Sequence, residues 1–253
     1  MSWGLRSRAS IYLSRHHVRV RVWRVGLLRD VLIDEHVIQS NPAEQAIDDA
    51  LRYISEVGGA GSRVTIFLGA SESILDVVSA VPGLQSDADW RALARQRLLV
   101  DAGIAPDQWR TGYTLLSGAR QAFVAAVPAS LTAKCSEISA SHGYRNTEMH
   151  IFSLRCLGYA ALNQPQNLTF RLIEPGAVTQ FDRSDAWSII FTQCASHEPP
   201  ESVRNPLTSD TEKIQQSRQL VAEFRYASSQ SLAVETNVAR QRDYFDLLAW
   251  AVQ

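Results

Sequence analysis

The alternation Val18-Arg19-Val20-Arg21-Val22 constrains this chain more than any other feature, because side chains at period two point to opposite faces of a strand and cannot share one face of a helix. It predicts a strand with valines turned to a core and arginines turned outward, inside a meander that runs from Ala9 to Val37. Gly26 and the Arg29-Asp30 pair interrupt the run and let the chain reverse into Val31 to Val37. The first acidic residue after Met1 is Asp30, so Arg15, Arg19, Arg21, Arg24 and Arg29 read as a cationic edge able to meet an acidic protein, an anionic headgroup or a phosphate backbone.

The segment after the meander has helical rather than alternating period. Asn41 can cap it, Pro42 suits its first turn, Glu44 completes a capping box and Gly58-Gly59 can end it. Ala43, Ala46, Ile47, Ala50, Leu51, Ile54 and Val57 form its apolar face. Two short strands, Val64 to Leu68 and Ile74 to Val81, are expected to extend the same sheet. Ser86 or Asp87 opens a second helix with Trp90, Leu93, Ala94 and Leu98 inward, closed by Gly103. Trp109 to Leu116 and Ala119 to Val127 read as a hairpin across Ser117-Gly118, and a helix follows Pro128 and stops before Gly143. Hairpin strands with a crossing helix thus recur about twice in the first 143 residues. Beyond these, Leu168 to Ile173 and Trp187 to Thr192 read as one hairpin, Ser196 to Asp210 as a loop, Thr211 to Tyr226 as a helix, Leu232 to Val238 as a strand and Tyr244 to Val252 as a closing helix. The organisation expected is an N-terminal lobe over residues 1–160 and a C-terminal lobe over 161–253.

Several chemistries lack the residues they need. Apolar stretches such as Ala122 to Pro128 fall short of the roughly 20 residues of a membrane-spanning helix, and no apolar h-region follows the Arg-bearing N-terminus, so a cytoplasmic location is expected. Cys135, Cys156 and Cys194 have no metal or redox spacing and read as buried thiols. Only Lys134 and Lys213 are lysine, and neither stands in a glycine-rich phosphate loop. The rings of His16 and His17 diverge on a strand and cannot easily share a metal; His36 beside Asp34-Glu35 diverges likewise. His197-Glu198 sits in a proline-rich loop, and Ser71 and Ser73 lack the Gly-x-Ser-x-Gly frame of an acyl-transfer nucleophile. A net charge of −1 and few aromatics near the arginines give no nucleic-acid signature. No catalytic residue, metal or cofactor is assigned.

Four stretches together carry a resemblance: the N-terminal meander; Trp-x-x-Leu-Ala-Arg-x-Arg-Leu from Trp90, followed by Ala102-Gly103 and Trp109; Phe123-Val124-Ala125-Ala126-Val127-Pro128; and Leu172-Ile173-Glu174-Pro175-Gly176-Ala177. In this order they resemble the actin-like fold of type IV pilus M proteins and of the cytoplasmic domain of type II secretion L proteins. The resemblance implies an α/β, ribonuclease H-like, two-lobed fold with mixed sheets flanked by helices. It also implies a non-enzymatic cytoplasmic scaffold at the inner-membrane face, with protein partners from a pilus or secretion complex and the capacity to form a homodimer. Nucleotide-binding relatives have an Asp-x-Gly-Ser turn in the first hairpin. Here that turn aligns with Ser14-Arg15-His16-His17, with Tyr12 at the aspartate's place and no glycine, so it reads as vestigial. The second phosphate turn aligns with Glu174-Pro175-Gly176-Ala177, glutamate replacing aspartate. An actin-like ATPase using Glu174, Gly176 and the Ser14 turn is the alternative, and a nucleic-acid or anionic-surface binder using Arg19, Arg21 and Arg24 the second.

Overall fold

A computed structural model describes residues 7–15, 17–26, 30–38, 43–58, 63–84, 86–100, 103–116, 120–144, 147–163, 169–174, 177–183, 186–193 and 220–225. In chain order the elements are β1 (Ser7–Ser14), β2 (His17–Arg24), β3 (Val31–Ile38), α1 (Ala43–Gly58), β4 (Arg63–Leu68), β5 (Ile74–Ser79), α2 (Asp87–Arg95), β6 (Trp109–Leu115), β7 (Gln121–Pro128), α3 (Ala129–Ser141), β8 (Glu148–Ile151), α4 (Phe152–Asn163), β9 (Thr169–Glu174), β10 (Ala177–Arg183), β11 (Trp187–Gln193) and β12 (Leu220–Arg225). The chain divides into two compact units, Met1–Glu72 with Val127–Phe152 and Ser73–Ala126 with Ser153–Gln253. Residue 160, where the sequence reading sets its boundary, lies within α4.

The first unit is built on a five-stranded sheet in the order β3-β2-β1-β4-β8. The expected meander supplies β1, β2 and β3 as antiparallel neighbours; β4 and β8 then join in parallel. The amphipathic α1 packs on one face exactly where its period puts its apolar residues: Ala46, Ile47, Ala50, Leu51 and Ile54 are all 0% exposed, against Ile11, Leu13, Val20, Ile66 and Cys135. Each large side chain so buried contributes about 1.5–3 kcal/mol. The proposed caps Asn41 and Pro42 lie outside the described residues. Lys134 of α3 pairs with Glu44 of α1, and His142 Nε2 lies 2.8 Å from Asp48 Oδ1. The left-handed backbone of Gly143 (φ 84°) lets α3 turn out toward β8.

The second unit holds two sheets, β5-β7-β6 and β11-β10-β9-β12. In the first, Val78, Ala122, Val124 and Ala126 pack with Trp90 and Ala94 of α2 and with Leu98 just beyond its end. The N-terminus of α2 carries the expected box, with Ser86 Oγ accepting the Asp89 N–H at 3.2 Å and Asp89 Oδ2 accepting the Ser86 N–H at 2.8 Å. A π-helical turn over Gln96–Val100 continues it. In the second sheet β9, β10 and β11 are antiparallel and β12 runs parallel to β9. This is the 3-2-1-4 order of the first unit's sheet over again, so the fold repeats one meander-plus-parallel-strand motif.

The hairpin-then-helix succession expected twice in the first 143 residues is present as β1–β3 with α1 and β6–β7 with α3, while the repeated sheet order relates residues 7–68 to 169–225. The structure corrects the sequence reading in four places. Strand β5 pairs with β7 and not with the first sheet. The hairpin after residue 168 is three strands, because Ala177–Arg183 is itself β10. Residues 220–225 form a strand where a helix is expected, since a parallel partner on β9 decides a short amphipathic segment that periodicity leaves open. The elements β8 and α4 were not foreseen at all. The expected loop, strand and helix after residue 195, apart from β12, lie outside the described residues. Among the described residues no helix is long and apolar enough to cross a membrane.

Candidate functional site

The first hairpin turn is set by register. Pairing runs without a break from Ser7↔Arg24 to Ser14↔His17, which leaves Arg15 and residue 16 as a two-residue connection. The segment after β4 closes against it. Gly69 N–H donates to the Leu13 carbonyl at 2.7 Å, and Arg15 N–H donates to Ser71 Oγ at 2.9 Å. Ser71 Oγ in turn donates to Glu72 Oε1 at 3.3 Å. A turn amide that could face a phosphate oxygen is therefore engaged by a hydroxyl, with a carboxylate directly behind it. Ser14 is buried and Arg15 is exposed. His16 lies outside the described residues, and of His17 only the backbone is described, at the start of β2.

Beneath the turn, Tyr12 is fully buried. Its ring meets Phe152 edge-on at 5.3 Å and 86°, and Phe67 meets Phe152 at 6.1 Å and 86°. Three aromatic rings thus pack together at Tyr12, the position that the resemblance aligns with a metal-organising aspartate. No described group of three His, Cys, Asp or Glu side chains is arranged to hold a metal ion.

At the second turn, Glu174 ends β9 with 3% exposure and pairs in register with Ala177. Pro175 and Gly176 lie outside the described residues. Burial first, and the charge of Glu174 second, push the Cys156 thiol well above its ordinary range. Burial likewise pushes Cys135 up to about 11. Both cysteines are the inert core thiols expected, and Cys194 lies outside the described residues.

The arginine row is placed differently from the outward-facing row that alternation predicts. Arg19 and Arg21 are 7% and 5% exposed and both pair with Glu35, Arg21 at 2.6 Å. Arg8 is buried as well, pairs with Asp30 at 2.8 Å and lies 5.3 Å over the Trp23 ring. Of Arg19, Arg21 and Arg24, only Arg24 reaches the surface. The β1 strand beside them is buried at all eight positions, polar ones included, so the arginines' face is sheltered where it borders β1. His36 stacks on Tyr53 (4.7 Å, 22°), whose hydroxyl bonds to Asp34. His197 and Glu198 lie outside the described residues.

The residues that sequence reading missed are Glu35, Ser71 and Phe152. Glu35 was findable, since the β2–β3 register sets it opposite Arg21. Nothing local marks Ser71 or Phe152, because their partners stand 56 and 140 positions away in the chain.

No family model and no curated protein matches the chain. Solved structures do. The cytoplasmic domain of EpsL, an inner-membrane component of the type II secretion system of Vibrio cholerae, is similar over 97% of this chain and 93% of its own, at 15% identity and a TM-score of 0.59. A chain of the PilM–PilN type IV pilus biogenesis complex is similar over 74% of this chain and 61% of its own, at 11% identity and a TM-score of 0.51. With its repeated 3-2-1-4 sheets, this chain has the actin-like fold in the form taken by the EpsL cytoplasmic domain and by the pilus complex.

Proposed function

We propose that this protein is a non-enzymatic scaffold of a type II secretion or type IV pilus assembly machine, working on the cytoplasmic side of the inner membrane through membrane-anchored partners or an assembly ATPase. The observation that carries the reading is the likeness to the EpsL cytoplasmic domain along nearly the whole of both chains. The chemistry of the first turn supports it. Tyr12 replaces a carboxylate with a buried ring, and Ser71 occupies the Arg15 amide, so a triphosphate would have to displace a hydrogen bond and meet no metal anchor there. The second reading, an actin-like ATPase, rests on the carboxylate that Glu174 keeps at the second turn.

Affinity capture from detergent-solubilised membranes of the native host tests the scaffold: inner-membrane secretion or pilus components are expected in the eluate, and their absence would count against it. Calorimetric titration with Mg-ATP separates the two readings. No heat at millimolar nucleotide is expected, whereas micromolar binding lost on Glu174→Gln would establish the ATPase reading instead.

A further inference from the structure

Among the described residues, four large apolar side chains of the first unit stand in solvent, and all four lie at one end of the β2–β3 ribbon: Val25 is 39% exposed, Val31 54%, Leu32 42% and Ile33 39%. Register brings them together, since Arg24 pairs with Val31 and Trp23 with Leu32, with a bulge that takes in Ile33. With period two, Val31 and Leu32 leave opposite faces of the ribbon, so the apolar surface wraps its end rather than lying on one face. The exposed apolar residues of the second unit, Val81, Val100, Leu115 and Ile190, stand on separate segments.

The charge around this end is one-sided. Arg24 is exposed, and no carboxylate pairs with it among the described residues. Asp30, the only acidic residue between Met1 and Ile33, is engaged from within: Arg8 Nε lies 2.8 Å from it and the Gly26 amide donates to its Oδ1 at 3.3 Å. Glu35 is likewise matched by Arg19 and Arg21. In sequence, Leu27, Leu28 and Arg29 add two apolar residues and a cation to this stretch, but no acid. Asp34, bonded by the Tyr53 hydroxyl, is the first carboxylate beyond the apolar run that no arginine neutralises.

We infer that this end of the β2–β3 hairpin inserts shallowly into the headgroup layer of an anionic bilayer, with Val25, Val31, Leu32 and Ile33 below the phosphates and Arg24 level with them. Apolar side chains rimmed by a cation, with the nearby acids withdrawn into internal pairs, are the chemistry of an interfacial anchor. A groove on another protein could also cover these aliphatic side chains, but it gives no reason for Asp30 and Glu35 to be matched internally while Arg24 is left unpaired. Two features limit the depth. The bulged Ile33 interrupts the ladder, so its backbone needs water, which the headgroup layer supplies and the hydrocarbon does not. Asp34 follows directly and keeps the strand beyond it out of the apolar layer. The inference rests on the reading that the protein works at a membrane, to which it adds a direct lipid contact; it is tested without any secretion partner, so each can fail alone.

Flotation of the full chain with lipid vesicles tests this, one set made of equal parts phosphatidylglycerol and phosphatidylcholine and one of phosphatidylcholine alone, with circular dichroism as the check on folding. The chain is expected to float with the anionic set, to stay behind with the neutral one, and to be released as salt is added. Arg24→Glu reverses one charge at the surface and is expected to weaken binding roughly thirtyfold. Val31→Ser combined with Leu32→Ser removes two apolar side chains that stand in solvent in the free protein, so the fold is expected to hold while binding falls at least about tenfold. Glycerol phosphate in solution separates a pocket for a free phosphate from a bilayer surface, and it is expected to release no more protein than sodium chloride of equal ionic strength. A wild type that stays off anionic vesicles overturns the inference. So does equal flotation with both sets, binding indifferent to the Val31→Ser, Leu32→Ser pair, or selective release by glycerol phosphate. Self-association in the absence of lipid that is lost on the same pair overturns it too, since the patch would then belong to a protein interface.

Discussion

Replacing Glu35 with alanine tests whether the arginine row is internal. Its carboxylate takes Arg19 through Nε and Arg21 at 2.6 and 2.8 Å, and the two arginine side chains are only 9% and 6% exposed. Removing one partner of a buried pair costs about 3–5 kcal/mol, because the remaining charge is left uncompensated in a poorly solvated site. Glu35 itself is 24% exposed, so some water reaches the vacated place, and the low end of about 3 kcal/mol applies. For a chain of this length that corresponds to a fall in Tm of about 6–12 °C. Urea unfolding followed by far-ultraviolet circular dichroism measures it: the midpoint should drop with the slope unchanged, and Glu35→Gln, which keeps one acceptor, should cost less. Because the pairs are sheltered, added salt should narrow the gap little. A loss under about 1 kcal/mol, the range of exposed ion pairs, would refute the reasoning and return the arginines to solvent.

Tyr53 should ionise well above the ordinary tyrosine range. Burial above all, and then the hydrogen bond to Asp34, raise it from 10.0 to about 12. Since the folded state holds the proton more tightly than the unfolded one, the stability this contributes is fully present below pH 10 and is lost as pH climbs toward 12. Phenolate absorbance in an alkaline titration should show Asp34→Asn lowering the late step without bringing it to the ordinary value, because burial remains. At the start of α2, Ser86→Ala removes the hydroxyl half of the capping box and should cost about 1 kcal/mol in urea unfolding; a neutral result would mean that Asp89 alone secures that end. Cys135 and Cys156 should resist iodoacetamide in neutral buffer while the protein is folded and react once it is denatured; peptide mass mapping that finds Cys135 alkylated in the native protein contradicts its burial.

What could be read from sequence was whatever one element specifies by itself. The period of α1, the Ser86 cap and the valine alternation of β2 each encode local geometry and one buried face, and each is where it should be. What escaped depends on partners far along the chain. The four residues Glu148–Ile151 become β8 only because β4 offers a parallel edge. Leu220–Arg225 is a strand because β9 is beside it. Ser71 belongs to the Arg15 turn only once β1 and β4 lie side by side, with Leu13 opposite Leu68. The arginines were misjudged for a related reason: alternation reports that two faces differ in polarity, not that the polar one is wet.

That polar inner face also constrains pairing. With period two, sliding β2 by one residue against β1 would carry Arg19 and Arg21 onto the α1 side, among Ile47, Leu51 and Ile54, and Val20 onto the side of Glu35. The penalty for burying two guanidiniums among aliphatic side chains excludes the slip far more strongly than apolar packing alone could. Replacing the set with Arg19→Met, Arg21→Leu and Glu35→Leu should therefore leave the unfolding midpoint unchanged or raised, since a buried ion cluster is often no more stable than apolar side chains of similar volume. The same variant makes both faces of β2 apolar, so it should lose uniqueness: doubled or broadened amide resonances for β1, β2 and β3 are expected in a two-dimensional correlation spectrum. A single sharp set of peaks in this variant would show that α1 packing fixes the register without help, and that the arginines serve something other than strand alignment.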